Sequence, residues 1–488
     1  MKIDKNSKLL NVYIPLLLVL AGFLWKIFFI NQRDICLDEP YSIFNAQKSI
    51  GEIIKISTLN EPTPPLFMLL LHLWIKLFGI APLSVRFLPL VFNSLTVLFL
   101  YFTGKRFFSF WTGLVASGLF LFSTLHFFYG LEARTYSLVV LETSASLYFY
   151  LRYAENLKDR KALAGLIISN LTLIYSHDFG WFVILSQIIS SFFYSKNLKN
   201  FRRFMIPPFA TALGFIPMIP IITHQFIVKS TRGTWLNPPK PYDYLYQLYY
   251  FLNHKMVFWI IITAIGVGLI FTLIMVLRKK WKGFNISVLV LLLWWIIPYS
   301  IMFFVSSKVP MFNSRYILFN SIGLYLFIGA LLNFLFQKNK YVEPVIGLVV
   351  IIFMGYYIRI LPDTFGYREV CKSVNFVKSA ENGNRIIILY PFWSDYQFNY
   401  YYNTEIFSDP RNYYDLMKKN NIYRVWGLSH TRQVIAAYPN KRVIYMQDGF
   451  GKEQHTSIFR FLDSIYIKRD SVFFPQTINV GVYDPKSQ

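Results

Sequence analysis

Long apolar runs dominate the first three quarters of the chain, and most of them have the length of about 20 residues that a helix needs to cross a bilayer. A further run at 66–79 follows Pro64-Pro65, but its 14 residues favour an interfacial or re-entrant segment. We therefore predict eleven membrane-spanning helices. They lie at about 11–30, 84–103, 110–129, 137–152, 163–178, 179–195, 204–223, 256–277, 285–305, 315–336 and 342–361.

The pattern changes after residue 362, where short alternating runs typical of strands replace the long apolar ones. The segments 385–390, 423–428, 442–447 and 478–483 are predicted strands, and 370–380 and 458–464 are predicted helices. About 125 residues are enough for one small α/β domain. The sequence thus predicts a transmembrane module at 1–362 and an extracytoplasmic α/β domain at 363–488.

The loop after the first span carries apolar residues at three- and four-residue spacing between 41 and 57. This spacing is typical of an amphipathic helix. We expect the segment to lie on the outer membrane surface.

Composition agrees with a membrane protein, since 55% of the 488 residues are hydrophobic and 15% are charged. A soluble globule and a disordered chain are both excluded. The net charge of +24 is explained by topology, because a cytoplasmic N-terminus and eleven spans put the basic clusters on the cytoplasmic side. Membrane lipids are therefore expected partners and nucleic acid is not. The clusters are Lys2/Lys5/Lys8, Lys105/Arg106, Arg152/Lys158/Arg160/Lys161, Lys196/Lys199/Arg202/Arg203, Arg278/Lys279/Lys280/Lys282 and Lys338/Lys340.

Two cysteines, Cys36 and Cys371, are too few for a disulfide scaffold or a cysteine-rich metal site. Both fall on the predicted outer side, where a disulfide between them is chemically allowed.

An acidic pair, Asp38 and Glu39, lies in the first outer loop just before Pro40 and Tyr41. One interpretation is structural, because an acidic residue caps a helix whose first position is proline. The other is catalytic: one carboxylate accepts a proton from an acceptor hydroxyl and the other orients it. The two interpretations are compatible.

Cations on the outer side run against the positive-inside trend and so require an explanation. Glu132 and Arg134 lie in the turn between the third and fourth spans, and Arg315 opens the tenth span, with Lys308 seven residues before it. An interfacial ion pair or lipid headgroups would explain them. A membrane-bound phosphate or diphosphate is the functional alternative, since arginine presents fixed donors to phosphate oxygens.

His177 and Asp178, at the outer end of the fifth span, are candidate accessory residues, as is Tyr41. Such a pair more often hydrogen-bonds at an interface than catalyses. Side chains of these types also bind divalent cations, but no spacing in the sequence requires one.

The order and shared side of these segments resemble the GT-C superfamily of integral-membrane glycosyltransferases, specifically glycosyltransferase family 39. That family includes protein O-mannosyltransferases and lipid A aminoarabinose transferases. The resemblance covers about 10–335 and leaves the C-terminal region unexplained. It rests on Asp38-Glu39-Pro40-Tyr41, on Thr63-Pro64-Pro65-Leu66 with the apolar run to Gly79, on Val85-Arg86-Phe87-Leu88-Pro89, on Glu132-Ala133-Arg134-Thr135-Tyr136, on Tyr175-Ser176-His177-Asp178-Phe179-Gly180 and on Ser314-Arg315-Tyr316.

The resemblance implies transfer of a sugar from a polyprenyl-phosphate donor to a lipid, protein or glycan acceptor. It implies inversion at the anomeric carbon and a site on the outer face of a bacterial inner membrane. Asp38 would be the base, with Glu39 beside it and Glu132 as a second acid. Arg134 and Arg315 would hold the donor phosphate. Many relatives have His or Lys where this chain has Thr63, so Lys308 would supply the missing cation.

Two other functional classes remain at this stage. A transporter or lipid flippase needs ionisable residues or broken helices near the middle of the bilayer, where the sequence shows few charges. A scaffold protein would work through its C-terminal domain and would be indifferent to Asp38. The sequence leaves open the sugar, the acceptor, the carrier length, the role of the C-terminal domain and the oligomeric state.

Overall fold

A computed structural model of the chain describes residues 5–59, 63–232, 236–277, 286–336, 341–360, 368–449, 457–474 and 478–486. The basic residues predicted at 278–282, 338 and 340, Lys2, and the predicted boundary at 362/363 lie outside these ranges. The chain divides into two compact units, and each is described by itself. The first comprises Met1–Phe28, Ile54–Leu70 and Arg86–Ile360, and the second comprises Phe29–Ile53, Leu71–Val85 and Leu361–Gln488.

Helices make up the chain as far as residue 356, as the apolar runs predict. A 3₁₀ turn at Ile216–Met218 joins α12 to α13. The helices are α1 (Lys5–Ile27), α2 (Glu39–Ala46), α3 (Ile50–Leu59), α4 (Leu66–Phe78), α5 (Pro82–Phe107), α6 (Phe110–Leu121), α7 (Thr124–Tyr129), α8 (Tyr136–Glu155), α9 (Arg160–Ser176), α10 (Gly180–Tyr194), α11 (Leu198–Phe204), α12 (Ile206–Phe215), α13 (Ile219–Arg232), α14 (Asp243–Phe251), α15 (Lys255–Leu277), α16 (Ile286–Val305), α17 (Asn320–Phe336) and α18 (Val342–Tyr356).

Helical segments occupy every predicted span, but fewer of them are single long helices. Within the described residues, three helices are long and apolar enough to cross a bilayer alone, at Pro82–Phe107, Leu198–His224 and Ile286–Val305. The pair Asp243–Phe251 and Lys255–Phe271 adds a fourth if a 94° bend is allowed within one span. The small C-terminal sheet is confirmed, whereas eleven separate spans stay a prediction.

The bend between α14 and α15 is fixed by Asn253, which has a positive φ of 61°. Asparagine tolerates this left-handed conformation better than most residues. Its side chain also accepts a hydrogen bond from the Thr124 N–H at 2.8 Å and donates to the carbonyls of Phe122 and Met354 at 2.7 and 2.8 Å. One amide thus stabilises the bend, the break between α6 and α7, and the end of α18.

The single surface helix predicted over 41–57 is wrong. The segment forms two helices, because Ser49 and Glu52 make a capping box that starts α3. The Ser49 N–H donates to Glu52 Oε2 at 2.9 Å, and the Glu52 N–H donates to Ser49 Oγ at 3.4 Å. Nor does α2 expose an apolar face, because Ile43 and Phe44 are buried and the Phe44 ring packs on Tyr413 at 4.6 Å.

The second unit is built on a five-stranded sheet in the order β2-β1-β3-β5-β4. Strands β1, β2 and β3 are parallel, whereas β5 is antiparallel to β3 and to β4. The strands are β1 (Arg385–Tyr390), β2 (Ile422–Arg424), β3 (Arg442–Asp448), β4 (Tyr466–Phe474) and β5 (Ile478–Pro485), and the helices are α19 (Val370–Ser379), α20 (Asp395–Tyr402), α21 (Thr404–Phe407), α22 (Tyr413–Lys419), α23 (Leu428–Ala437) and α24 (Ser457–Ile465).

Strand β4 is the one strand that the hydrophobic pattern missed within the described residues. Its middle is exposed and carries Lys468, Arg469 and Asp470, so it shows no apolar alternation. It lies at one edge of the sheet, where charged side chains oppose pairing with another chain. Cys36 and Cys371 are not joined to each other, so the disulfide allowed by the sequence does not form here.

Candidate active site

Asp38 occupies the N-cap position of α2, but its side chain makes no capping hydrogen bond. Pro40 is the second residue of α2, one position later than the sequence predicts, because the helix begins at Glu39. The α2 start is instead held by the Asp38 carbonyl oxygen, which accepts from the Ser42 N–H at 3.2 Å. Helix capping is therefore not what the Asp38 carboxylate does.

Glu39 lies beside Asp38 in a different environment. Its side chain is 1% exposed and pairs with Arg33, with Nη2 and Oε2 3.4 Å apart. Arg33 drew no attention in the sequence analysis, although it comes only six residues earlier. A buried carboxylate with a cation at this distance is suited to fixing the loop.

The backbone just before Asp38 is strained, because Leu37 has a φ of 59°. This conformation costs a residue with a Cβ about 1–2 kcal/mol. The Leu37 N–H donates to Gln397 Oε1 at 3.4 Å. Gln397 Nε2 in turn donates to Asp448, whose two oxygens accept from Arg368 Nη1 at 2.8 Å each. A buried chain of polar groups from the C-terminal stretch thus holds the residue that precedes Asp38.

Tyr41 is half-buried on the same helix, and its ring lies edge-on to that of Tyr396, with centroids 5.9 Å apart. This contact orients the phenol. Within the second unit, then, Asp38, Glu39 and Tyr41 share one short segment.

In the first unit, Glu132 and Arg134 lie in the turn between α7 and α8. Their side chains are 5% and 9% exposed. Burial to this degree argues against snorkelling of Arg134 into water at a helix end. The turn is closed by a hydrogen bond from Ser137 Oγ to the Tyr129 carbonyl at 2.8 Å.

Three turns of the first unit are tied together around Ser176. Thr135 Oγ1, next to Arg134, donates to the Ser176 carbonyl at 3.1 Å. The adjacent His177 ring packs near Tyr316, with centroids 6.2 Å apart. The structure therefore brings the turns that carry Arg134, His177 and Arg315 into one cluster.

Arg315 is half-buried, with its guanidinium 5.0 Å from the centre of the Tyr316 ring. The backbone N–H of Arg315 donates to Asn313 Oδ1 at 3.2 Å, and this hydrogen bond forms a turn before α17. Lys308 comes just after α16 and is exposed. The two cations thus differ in environment, and an exposed lysine is screened by water and salt.

His177 and Asp178 follow the end of α9. The His177 ring accepts a hydrogen bond from the Phe179 N–H at its Nδ1, at 3.3 Å, and the ring is 7% exposed. Asp178 is half-buried. The histidine thus helps to shape its own turn, which supports the structural interpretation for it.

Two polar residues near this cluster escaped the sequence analysis. Glu142 lies inside α8, is 5% exposed and accepts from Ser176 Oγ at 3.0 Å. Asn320 opens α17 and is 1% exposed, and neither atom of its amide has a hydrogen-bond partner among the described residues. An acid or an amide inside an apolar run is a signal that could have identified both.

Among the residues that the structure describes, no three His, Cys, Asp or Glu side chains lie together in a way that would hold a metal ion. A divalent cation therefore stays a hypothesis about the reaction.

Comparison with known proteins gives a family match over part of the chain and a similar fold. Residues 62–224 match the dolichyl-phosphate-mannose-protein mannosyltransferase family. No curated protein sequence matches the chain.

The fold is similar to that of ArnT from Cupriavidus metallidurans in the apo state, with a TM-score of 0.59 and 11% identity over 96% of this chain and 97% of that one. The same protein bound to undecaprenyl phosphate gives 0.57 and 10% over the same shares. The archaeal oligosaccharyltransferase AglB from Archaeoglobus fulgidus, in complex with an inhibitory peptide and a dolichol-phosphate, gives 0.53 and 10% over 89% of this chain and 70% of that one.

At these identities the structures show the fold alone, and the family match covers the stretch that contains Arg134 and His177. Together they confirm the predicted resemblance to the GT-C superfamily of membrane glycosyltransferases, of the protein O-mannosyltransferase type found in glycosyltransferase family 39.

Proposed function

We propose that the chain transfers a sugar from a polyprenyl-phosphate donor to a hydroxyl or amine acceptor at the outer face of a bacterial inner membrane. The observation that carries the proposal is the cluster of turns that holds Arg134 and Arg315 together in the first unit. Undecaprenyl phosphate in ArnT and dolichol-phosphate in AglB support a lipid-linked phosphate as the donor carrier. The transporter alternative gains no support from the family match or from the fold.

The chemistry suits these residues. A polyprenyl phosphate leaves as a stable anion, so that step needs positive charge and no acid. Arg134, Arg315 and Lys308 supply that charge, and Glu132 orients the arginines. Asp38 accepts the proton from the acceptor, and attack from the opposite side inverts the anomeric carbon.

Asp38 and Glu39 have different roles within the acidic pair. The Arg33 guanidinium lies 3.4 Å from the buried Glu39 carboxylate, so Glu39 fixes the loop. The Asp38 side chain makes no capping hydrogen bond, and Asp38 acts as the base.

The decisive experiment measures transfer from radiolabelled polyprenyl-phosphate sugars by the full-length protein in lipid nanodiscs, with lipid, peptide and glycan acceptors. Asp38→Asn should lower turnover by about 10²–10⁴-fold, the range for loss of a general base. Glu52→Gln is the matched control, because it is the same isosteric change in the same loop at an exposed carboxylate. Wild-type turnover in Asp38→Asn would exclude Asp38 as the base. Parallel assays with EDTA test the divalent cation.

The arginines are tested by donor affinity. Arg315→Ala should weaken donor binding by about tenfold or more, since it removes a hydrogen bond to a charged group. Lys308→Ala should have a smaller effect because its side chain is exposed. A slower chemical step with unchanged donor affinity in Arg315→Ala would contradict its assignment to the phosphate.

Gln397 is proposed as a positioning residue, because it reaches the strained residue before Asp38. Gln397→Leu should lower kcat at unchanged donor affinity. Leu37→Gly in that background relieves the strain at φ 59° and should recover part of the activity. A fall in donor affinity with normal kcat would show that Gln397 acts elsewhere.

Asn320 is proposed as a donor contact, since a buried amide without partners costs about 1–3 kcal/mol. Asn320→Leu should stabilise the protein and weaken donor binding together. A stabilised variant with full donor affinity would show that Asn320 does not meet the donor.

A further inference from the structure

An exposed aromatic cluster lies on the second unit, where the Tyr414 hydroxyl is 3.2 Å from that of Tyr396, the residue whose ring contacts Tyr41. Trp426, Tyr414 and Phe392 are 58%, 48% and 38% exposed, which is unusual for three large rings at one place. The Phe392 and Trp426 rings are stacked, with centroids 5.4 Å apart and planes inclined by 18°. We call this exposed group of three rings the platform.

Arg424 lies at the centre of this platform. Its guanidinium carbon is 4.1 Å from the Tyr414 ring centre, 5.3 Å from that of Trp426 and 5.9 Å from that of Phe392. Asp395, whose side chain is fully buried, accepts from Arg424 Nη1 at 3.4 Å. The acid offsets part of the charge, so the platform offers polar hydrogen-bonding groups with a reduced net attraction for an anion.

The position of the cluster in the fold is typical of a ligand site. Phe392 comes two residues after β1, and Trp426 comes two residues after β2, so both lie at the carboxyl edge of parallel strands. The chain passes from β1 to β2 on one side and then to β3 on the other. In open α/β sheets, ligands bind outside the carboxyl ends of the strands, and the cluster lies at the ends of β1 and β2.

We propose that Trp426, Phe392 and Tyr414, arranged around Arg424, form a carbohydrate-binding site that takes the uncharged sugar rings of a glycan. A pyranose presents a face of C–H groups, which the electron-rich face of an aromatic ring attracts. It also presents hydroxyls at its rim, and the Arg424 N–H groups, the Tyr414 hydroxyl and the His430 ring, stacked on Trp426 at 5.2 Å, can hydrogen-bond them.

Charge argues against a lipid surface as the occupant. The exposed side of α22, next to Tyr414, carries Asp415 as well as Lys418 and Lys419. A helix that binds anionic lipid carries mainly basic residues on its polar side. Mixed charge around a stacked aromatic platform fits a soluble, uncharged ligand better.

The test measures binding, so it does not depend on transferase activity. The full-length protein in phosphatidylcholine nanodiscs is titrated with mannotetraose, cellotetraose and chitotetraose by calorimetry and by saturation-transfer NMR. At least one should bind, and Trp426→Ala should weaken it by about tenfold or more. Phe473→Ala is the matched control, because Phe473 is 53% exposed on β4 at the opposite edge of the sheet.

Three results would overturn the proposal: no binding of any of the three sugars, equal binding by Trp426→Ala, or loss of binding in Asp38→Asn, which would place the sugar at the catalytic residues. A fourth contrary result could come from nanodiscs with brominated phosphatidylcholine. The fluorescence of Trp426 is the part of the signal that Trp426→Ala removes. Quenching of this part by the brominated lipid would show that Trp426 contacts lipid. Arg424 is left unchanged because its loss would strand the buried Asp395.

Discussion

Outside the candidate active site, buried acids of the two units are stabilised in different ways. In the second unit they pair with arginine, as Arg368 does with Asp448 at 2.8 Å and Arg424 with Asp395 at 3.4 Å. In the first unit, neutral donors approach Glu343 of α18. Asn333 Nδ2 donates to its Oε2 at 2.7 Å, and the hydroxyls of Ser109 and Thr112 donate to its Oε1 at 2.5 and 3.3 Å.

A further neutral network joins α8, α9 and α10 in the first unit. Asn170 and Gln187 exchange amide hydrogen bonds at 2.9 and 2.8 Å, and Gln187 Nε2 also donates to Ser146 Oγ at 2.8 Å. Two ion pairs of this unit, Arg106–Glu155 and Arg152–Asp159, lie instead at helix ends, where they are partly exposed.

The difference follows from the surroundings of each unit. Two charges must lose their hydration before they can pair, and this cost is highest where no water is near. Apolar helices therefore join through amides and hydroxyls. A sheet unit that carries charged and polar loops can keep arginines at its edges. Each of the following predictions tests one side of this contrast.

The largest effect is expected at Arg368. Arg368→Ala leaves Asp448 as a buried, unpaired charge, which should destabilise the second unit by about 3–5 kcal/mol. Hydrogen exchange of the β3 amides measures the loss. The double variant Arg368→Met/Asp448→Leu removes both charges and should recover most of the stability. A double variant as unstable as the single one would show that packing, and not charge, determines the cost.

Asp395 should make the second unit sensitive to pH. Burial raises the pKa of its carboxyl to about 7, against the partial opposing effect of Arg424. The folded form therefore binds the proton more tightly than the unfolded chain. The stabilisation is fully present below pH 4, is lost as pH rises towards 7, and is absent above that.

Between pH 5 and pH 7 the wild type should lose roughly 2 kcal/mol that Asp395→Asn does not lose. Hydrogen exchange of β1 and β2 at several pH values measures the difference. Asp484→Asn is the control, because the pKa of Asp484 is shifted in the opposite direction: a hydrogen bond from Arg442 lowers it. Asp484→Asn should destabilise the protein by the same amount at every pH between 5 and 7. Parallel pH curves for the wild type and Asp395→Asn would contradict the assignment.

The neutral network should be less costly to break. Gln187→Leu leaves the Asn170 amide without its main partner and should cost about 1–2 kcal/mol, as for a lost hydrogen bond between membrane helices. The double variant Asn170→Leu/Gln187→Leu replaces both amides by apolar groups and should approach wild-type stability. Thermal unfolding in detergent ranks the three proteins, and a double variant worse than Gln187→Leu would refute this interpretation.

The smallest effect is expected at Arg106. Its side chain and that of Glu155 are 46% and 47% exposed, so water and salt screen the pair. Arg106→Ala should change stability by less than about 0.5 kcal/mol. A loss comparable to that of Gln187→Leu would mean that ion pairs at these helix ends matter more than the contrast allows.

Local pattern predicted much of the fold. Apolar length located the helical segments, and alternation located β1 and β3 to within a residue of their ends. The acidic pair, Arg134 and Arg315 were also visible in the sequence, because charges are rare in an apolar chain. Helix breaks were less visible, since the capping box at Ser49 and the turn at Asn253 depend on one side chain each.

The sequence by itself determined the class of protein, the residues that can carry charge and the order of its elements, because these follow from hydrophobicity and periodicity along the chain. Only the tertiary structure decided which of the charges are paired. Arg33 neutralises Glu39, Gln397 reaches Leu37 across 360 residues of sequence, and Arg424 gathers three aromatic rings. These contacts depend on how the chain turns and how the elements pack, whether the partners are six or 360 residues apart, and periodicity along the chain does not encode that.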